Sequence, residues 1–340
     1  MMKILFCELE GWERQYLDQR LPQGHNTEFI AGPISAVHSK VLEECDILSP
    51  FILTRIDEAI FSRMPRLKLI ATRSTGYDHI DCERAASRGI IVANVPEYGS
   101  NTVAEHTFAL LLALSRRLIP AYVRAKAGRF STDGLRGFDL RGKTLGVIGS
   151  GNIGLHFIRM ATSFGMRVIV YDLFPRHTIA DVLGFEYVSF ETLLSTADVI
   201  SLYCPATKDN RHMIRAETIA RMRKGVILLN TARGTLVNTH DLLAALESGH
   251  VAGAGLDVLE GERAIREEAE IREDVGREEL VAAIETHKLL ARENVIVTPH
   301  NAFNSEEAVR RILDTTAQNI SEFIQTGRPA CPVQTKHTVS

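Results

Sequence analysis

The sequence lacks paired cysteines, long apolar runs, low-complexity tracts and a surplus of either charge sign, and each lack removes a class of protein. Its five cysteines (Cys7, Cys45, Cys82, Cys204, Cys331) are odd in number and scattered, with no Cys-x-x-Cys pair. Neither a disulfide framework nor a zinc knuckle is expected, and reduced thiols point to a cytoplasmic setting. No His-x-x-x-His or acid and thiol cluster suggests a metal site. The apolar run Ile4 to Cys7 is too short for a signal-peptide core, and Phe108 to Leu114 falls far below the roughly 20 residues that span a bilayer. Export and membrane insertion are therefore not expected. With 39 basic against 42 acidic residues, net −3, and no basic run, neither nucleic acid nor an anionic membrane is an expected partner. A small molecule is the better expectation. At 45% hydrophobic and 24% charged over 340 residues, the chain has the composition and length of two folded domains.

What is present is an α/β rhythm. Short apolar runs at Lys3–Cys7, Glu28–Ile30, Asp46–Phe51, Leu67–Ala71 and Ile90–Val95 alternate with helical patterns, which predicts a parallel sheet. A long helix is expected from Thr102, where Thr102-Val103-Ala104-Glu105 fits a capping box, through Leu110, Leu111 and Leu114 towards Lys126. A second α/β series starts at Thr144, with strands near Arg167, Asp198, Val226, Val251 and Val295. Residues 261 to 294, dense in Glu and Arg, carry Ile265, Ile271, Leu280, Val281 and Ile284 at helical intervals and predict solvated amphipathic helices. Cys331 to Ser340 lacks periodicity and reads as a loose tail.

The strand candidate Thr144–Ile148 runs into Gly149-Ser150-Gly151-Asn152-Ile153-Gly154 and then an apolar helix. A dinucleotide turn requires this context: a glycine for the tight turn, one for close approach of a pyrophosphate, one for helix packing, and a helix amino terminus facing the anion. Asp172 closes the next strand, 21 residues beyond Gly151, the spacing that sets a carboxylate on the adenosine ribose. A carboxylate there favours NAD over NADP, although Arg176 nearby softens the discrimination.

Three further segments follow predicted strands: Asn230-Thr231-Ala232-Arg233-Gly234, Asp257-Val258-Leu259-Glu260-Gly261-Glu262 and Thr298-Pro299-His300-Asn301-Ala302-Phe303. They fall at the carboxyl ends of parallel strands, where open α/β sheets bind ligands. An Arg holds a carboxylate in a two-pronged grip, a His near neutral pH passes a proton to or from an oxygen, and a Glu beside that His favours its charged form. Arg233 also fits a surface ion pair, and the residues alone do not choose between Glu260 and Glu262.

With these motifs in this order, the chain resembles the D-isomer-specific 2-hydroxyacid dehydrogenase family from its first strand to about Gly327, and its long third region is most like that of the D-lactate dehydrogenases within it. The resemblance implies a Rossmann NAD-binding domain (101–301) inserted into a flavodoxin-like substrate domain (1–100 with 302–340), both doubly wound parallel sheets. It implies that Arg233 binds the 2-oxo acid, His300 is the acid/base and Glu262, rather than Glu260, is its partner. Gly149, Gly151, Asn152, Ile153, Gly154, Asp172, Cys204, Pro205, Asn210, Thr231, Ala232, Arg233 and Asp257 match cofactor positions. Ser74, Thr75 and Gly76 match the loop that holds the substrate carboxylate, and Tyr98 and Phe303 match pocket aromatics. The implied activity is NAD-dependent interconversion of a small 2-oxo acid and its D-2-hydroxy acid. The implied assembly is a homodimer formed through the cofactor domains, with the helix at Thr102 as a candidate surface, although a helix that apolar fits burial between the domains of a monomer equally well. Glyoxylate or hydroxypyruvate reduction, phosphoglycerate oxidation and non-catalytic NAD sensing remain alternatives.

Overall fold

A computed structural model of the chain describes residues 1–260 and 277–334. These form two compact units, one of residues 1–98 with those from 305 onward, the other of residues 99–304. The first contains β1 (Lys3–Cys7), α1 (Gly11–Asp18), β2 (Asn26–Ile30), α2 (Ser39–Glu43), β3 (Ile47–Ser49), α3 (Glu58–Ser62), β4 (Leu69–Ala71), α4 (Cys82–Ser87) and β5 (Ile91–Ala93). Its sheet is parallel in the order β2-β1-β3-β4-β5, with Ile4 level with Thr27 on one side and Ile47 on the other. That is the flavodoxin-like order, whose strand sequence reverses between β1 and β3. The runs read as near-continuous apolar stretches because helices cover the sheet, leaving Leu5, Leu48 and Ile70 without solvent exposure.

The second unit contains α5 (Ser100–Ser115), α6 (Leu118–Lys126), β6 (Thr144–Ile148), α7 (Asn152–Ser163), β7 (Arg167–Tyr171), α8 (His177–Leu183), β8 (Glu186–Tyr187), α9 (Phe190–Thr196), β9 (Val199–Leu202), α10 (Ala216–Ile219), β10 (Val226–Asn230), α11 (Thr239–Glu247), β11 (Val251–Leu256), α12 (Arg277–Leu290) and β12 (Val295–Val297). Its seven parallel strands run β12-β11-β10-β9-β6-β7-β8, the doubly wound order of a Rossmann domain, reversing between β6 and β9. The two-residue strand β8 is too short to leave a periodic signal and was absent from the expected set. The helix α5 lies against β10, β11 and β12. Its close approach explains glycine in β11, since a Cβ at Gly255 would come within 3.1 Å of Leu110 Cβ and 2.9 Å of Leu229 Cδ2.

Three expectations are corrected. The helix starts at Ser100 after Gly99, so Thr102 is not its cap; it is already inside the first turn, with its side chain buried. Nor does that helix run to Lys126: Arg117, at φ 48°, breaks it into α5 and α6. The segment Cys331–Val333 is not loose either. Val333 N donates to Val92 O (2.8 Å) and Asn94 N to Cys331 O (3.2 Å), closing the edge of β5. Backbone pairing needs no apolar periodicity, which is why the pattern was silent. The final helix α13 (Glu306–Thr326) returns to the first unit and supplies the clamp. Its fully buried Asn319 donates to Asn94 O (3.0 Å) and accepts from Cys331 N (2.7 Å). The sequence positions Glu262, Ile265, Ile271 and 335–340 lie outside the described residues.

Replacing Asn319 by Ala leaves a backbone carbonyl and an N–H without their partner. Asn319→Ala is expected to lower unfolding free energy by about 2 kcal/mol, read from the urea midpoint at unchanged slope.

Candidate active site

The glycine turn is built as its spacing implies. Gly149, directly after β6, has φ 97°, and a Cβ there would stand 2.8 Å from Cys204 N, so only glycine fits. A Cβ on Gly154 would lie 2.3 Å from Gly149 O, which explains the tight seat of α7 beneath the turn. Gly151, the N-cap of α7, faces open space, with nothing within 4 Å of a Cβ built on it. A backbone left open at the positive end of a twelve-residue helix fits a pyrophosphate. Asn152 and Ile153 form the first turn of that helix.

Asp172 follows β7 and reaches the same turn. Its Oδ2 accepts from Ser150 N (2.6 Å) and Ser150 Oγ (2.8 Å), and its Oδ1 from Phe174 N (2.8 Å). Because Ser150 Oγ spends its proton on Asp172, its 2.9 Å contact with Tyr187 has the phenol donating, and the phenol oxygen accepts from Arg176 N (3.1 Å). Arg176 also donates its guanidinium to Ser150 O. Burial works to raise the Asp172 pKa, but the donors from Phe174 and Ser150 and the Arg176 charge outweigh it and hold the carboxyl below its ordinary value. Ser150 and Tyr187 were missed; Ser150 occupies a variable place of the glycine motif, and Tyr187 lies on the unpredicted strand β8.

After β9, Asn210 staples its own loop: Oδ1 accepts from Thr207 N (2.7 Å) and Nδ2 donates to Pro205 O (2.8 Å). Burial pushes the Cys204 thiol up to about 11, which keeps it protonated near neutral pH.

The segments after β10, β11 and β12 emerge on one edge of the sheet, their strands being adjacent and parallel. Behind Arg233 stands the buried Asn230, which accepts from Ala232 N (3.0 Å) and donates to Arg233 O (2.9 Å). The Arg233 guanidinium donates to Ala232 O (2.7 Å), and Thr231 Oγ1 meets Thr107 Oγ1 of α5 at 2.9 Å. Gly234 is glycine because a Cβ would fall 2.1 Å from Leu259 O. Glu260 is taken up by His212 Nε2 (2.6 Å) and Arg211 Nη2 (3.0 Å). The Glu262 expectation lies outside the described residues.

Asp257, expected among the cofactor contacts, is 1% exposed. Its Oδ1 accepts from Thr298 Oγ1 (2.5 Å) and Asn301 N (2.9 Å), its Oδ2 from Ala302 N (3.0 Å). These bonds bracket His300, which sits at φ 53°, a left-handed conformation that costs a non-glycine residue about 1 kcal/mol or more. Phe303, three residues after His300, is half-buried.

In the first unit, Ser74, Thr75 and Gly76 form a laced turn after β4. Ser74 Oγ donates to Gly76 O (2.6 Å), Thr75 Oγ1 to Val95 O (2.7 Å) and Asn94 Nδ2 to Thr75 O (2.8 Å). Beneath it lies a group the sequence reading missed. Buried Arg73 donates to Ser49 O (2.7 Å), Cys7 O (2.6 Å) and Glu8 O (2.8 Å), tying together the carboxyl ends of β1 and β3. Burial lowers its pKa. Its signal was one Arg directly after an apolar strand. Tyr98 is half-buried, its carbonyl accepting from Arg311 Nε (2.5 Å). Among the described residues, no group of three or more His, Cys, Asp or Glu could hold a metal ion, and no helix is long and apolar enough to cross a membrane.

Comparison with known proteins shows the family. Residues 108–302 match the family model for the NAD-binding domain of D-isomer-specific 2-hydroxyacid dehydrogenases. The D-lactate dehydrogenase of Escherichia coli is 34% identical over 329 residues, covering 95% of this chain and 97% of that protein. A glyoxylate reductase of Thermococcus litoralis is 36% identical over 325 residues, 94% of this chain and 88% of that one. The solved structure of Aquifex aeolicus D-lactate dehydrogenase complexed with NAD and lactic acid superposes with a TM-score of 0.86 at 35% identity, covering 96% of this chain and 98% of that one.

The Asp172 network has a pH signature. A carboxyl held below its unfolded value adds stability that is complete above about pH 4 and is lost as pH falls through the folded value. The stability gap between wild type and Asp172→Asn should therefore narrow between pH 5 and lower values, as read from urea unfolding at about pH 7, 5 and 3.

Proposed function

The chain belongs to the D-isomer-specific 2-hydroxyacid dehydrogenases, NAD-dependent oxidoreductases, and from that membership we propose that it reduces a small 2-oxo acid of the pyruvate type to the D-2-hydroxy acid, as a D-lactate dehydrogenase does. The observation that carries this reading is the placement of Arg233 and His300 on one edge of the cofactor sheet, each on a loop held by a buried polar side chain, Asn230 and Asp257.

Gly149, Gly151, Gly154 and the first turn of α7 would hold the pyrophosphate and Asp172 the adenosine ribose, with Cys204, Pro205, Asn210, Thr231 and Ala232 along the remaining cofactor path. When bound, the reduced nicotinamide supplies a hydride to C2 of the substrate. By family resemblance Arg233 binds the substrate carboxylate, and Ser74, Thr75 and Gly76 match the loop whose backbone amides hold the same group. His300 gives its proton to the carbonyl oxygen during reduction, and neutral His300 takes the hydroxyl proton in the reverse direction. Glu262, by family resemblance, keeps His300 charged for reduction; Glu260 is engaged with His212 and Arg211, which supports giving that role to its neighbour. Tyr98 and Phe303 would bound the substrate side chain. His300→Asn should abolish turnover while NADH binding, followed by fluorescence, persists. A panel of pyruvate, glyoxylate, hydroxypyruvate and larger 2-oxo acids with NADH and NADPH should favour pyruvate and NADH; a glyoxylate preference would instead align it with the Thermococcus relative.

The proposed location is the cytoplasm, supported by five cysteines without a disulfide, and the proposed assembly is a homodimer. The apolar residues Val103, Ala104, Leu110 and Leu111 of the helix around Thr102 are buried in their own unit, so they do not supply an apolar face for it. The supporting surface is α6, where Leu118, Ile119, Tyr122 and Val123 are each about half exposed, with Phe130 at 82%. Leu118→Glu with Tyr122→Glu should halve the mass in sedimentation, whereas an unchanged mass moves the contact elsewhere.

A further inference from the structure

The loop that carries His300 is braced from a direction that none of the motifs signals. Thr298 N continues the strand ladder to Leu256 O (2.9 Å), after which the chain turns through His300 in its left-handed conformation and is caught again at Asn301 and Ala302 by Asp257. The Thr298 hydroxyl has one proton, and it goes to Asp257 Oδ1 at 2.5 Å. Its 3.0 Å contact with His106 Nε2 is therefore one in which the imidazole N–H donates and the hydroxyl oxygen accepts. The same nitrogen stands 3.6 Å from Asp257 Oδ1. His106 projects from α5, whose next residue, Thr107, meets Thr231 on the Arg233 loop. One helix thus touches both loops to which the reaction is assigned.

We propose that His106 is a positioning residue for proton transfer: through Thr298 and Asp257 it fixes the backbone on which His300 is presented. This rests on the dehydrogenase reading. His106 acts only through this chain of bonds, so its removal should misplace His300 and lower kcat without touching cofactor affinity. Hydrogen-bonded loop amides such as Asn301 N and Ala302 N exchange their protons slowly, and losing the brace should be visible there independently of turnover.

The test compares His106→Ala, His106→Gln and Thr298→Val. A Gln carries an amide N–H that reaches about as far as an imidazole Nε2–H, so it is the conservative variant. His106→Ala should lower kcat for 2-oxo acid reduction by about 10- to 100-fold, with NADH affinity within about twofold, and should speed amide exchange in the peptide spanning 297–303. His106→Gln should restore kcat to within about threefold of wild type and restore slow exchange. Thr298→Val, which replaces only the hydroxyl, should reproduce the alanine phenotype, and it carries the test alone where His106→Ala does not fold. A kcat retained within twofold in both deleting variants, unchanged exchange, or a Gln variant as impaired as Ala overturns the proposal. A wild-type protein that turns over no 2-oxo acid overturns the dehydrogenase reading instead, and amide exchange, which needs no substrate, still decides whether His106 braces the loop.

Discussion

The carboxylate of Asp257 is the interaction on which the cofactor unit's ligand-facing edge depends. A carboxylate with 1% exposure just past the end of β11 is tolerable only if donors surround it. Those donors are the Thr298 hydroxyl and the Asn301 and Ala302 amides, all from the loop after the neighbouring strand. Moving that loop would strand a buried charge, so the loop has one place to be. The left-handed backbone of His300 is the local cost of meeting the carboxylate on both sides, and it persists because the flanking bonds over-determine it.

The same device recurs at other described loops to which a function is assigned. Parallel strands end by releasing backbone groups from the ladder, and those groups need partners when the loop is only partly exposed. Asn230 supplies them behind Arg233, Asn210 between Pro205 and Thr207, and Asn94 at Thr75, while Arg73 does so for the carbonyls that end β1 and β3. The carboxylate of Asp172 does so for the amide of Ser150. None of these side chains needs to touch a substrate to matter. They convert flexible connections into surfaces of defined shape, which a site assembled from separate loops requires.

Glycine serves this edge in two physically different ways. At Gly149 the backbone itself demands it, with φ at 97°. At Gly234 and Gly255 the backbone is ordinary and space is short, against Leu259 O in one case and Leu110 in the other. Identical letters in the sequence therefore report a turn in one place and a close approach in another, and only the neighbours distinguish them.

Local pattern alone carried much of this molecule. The alternation of apolar runs and helices required parallel sheets, the Gly149–Gly154 spacing with Asp172 required a dinucleotide turn, and Arg233 and His300 followed strands because their apolar runs end there. These features are legible because each depends on residues close together in the chain. The order of the strands, the pairing of Val333 with Val92, the break at Arg117 and the seat of Asp257 against Thr298 were not legible, because their partners are distant in sequence or act through the backbone. The place of His106 among twelve histidines belongs to that second group. Its ring is indistinguishable from the others by type or spacing, and what sets it apart is a hydrogen bond to a hydroxyl 192 residues away, a contact that only packing α5 across the carboxyl ends of the strands could create.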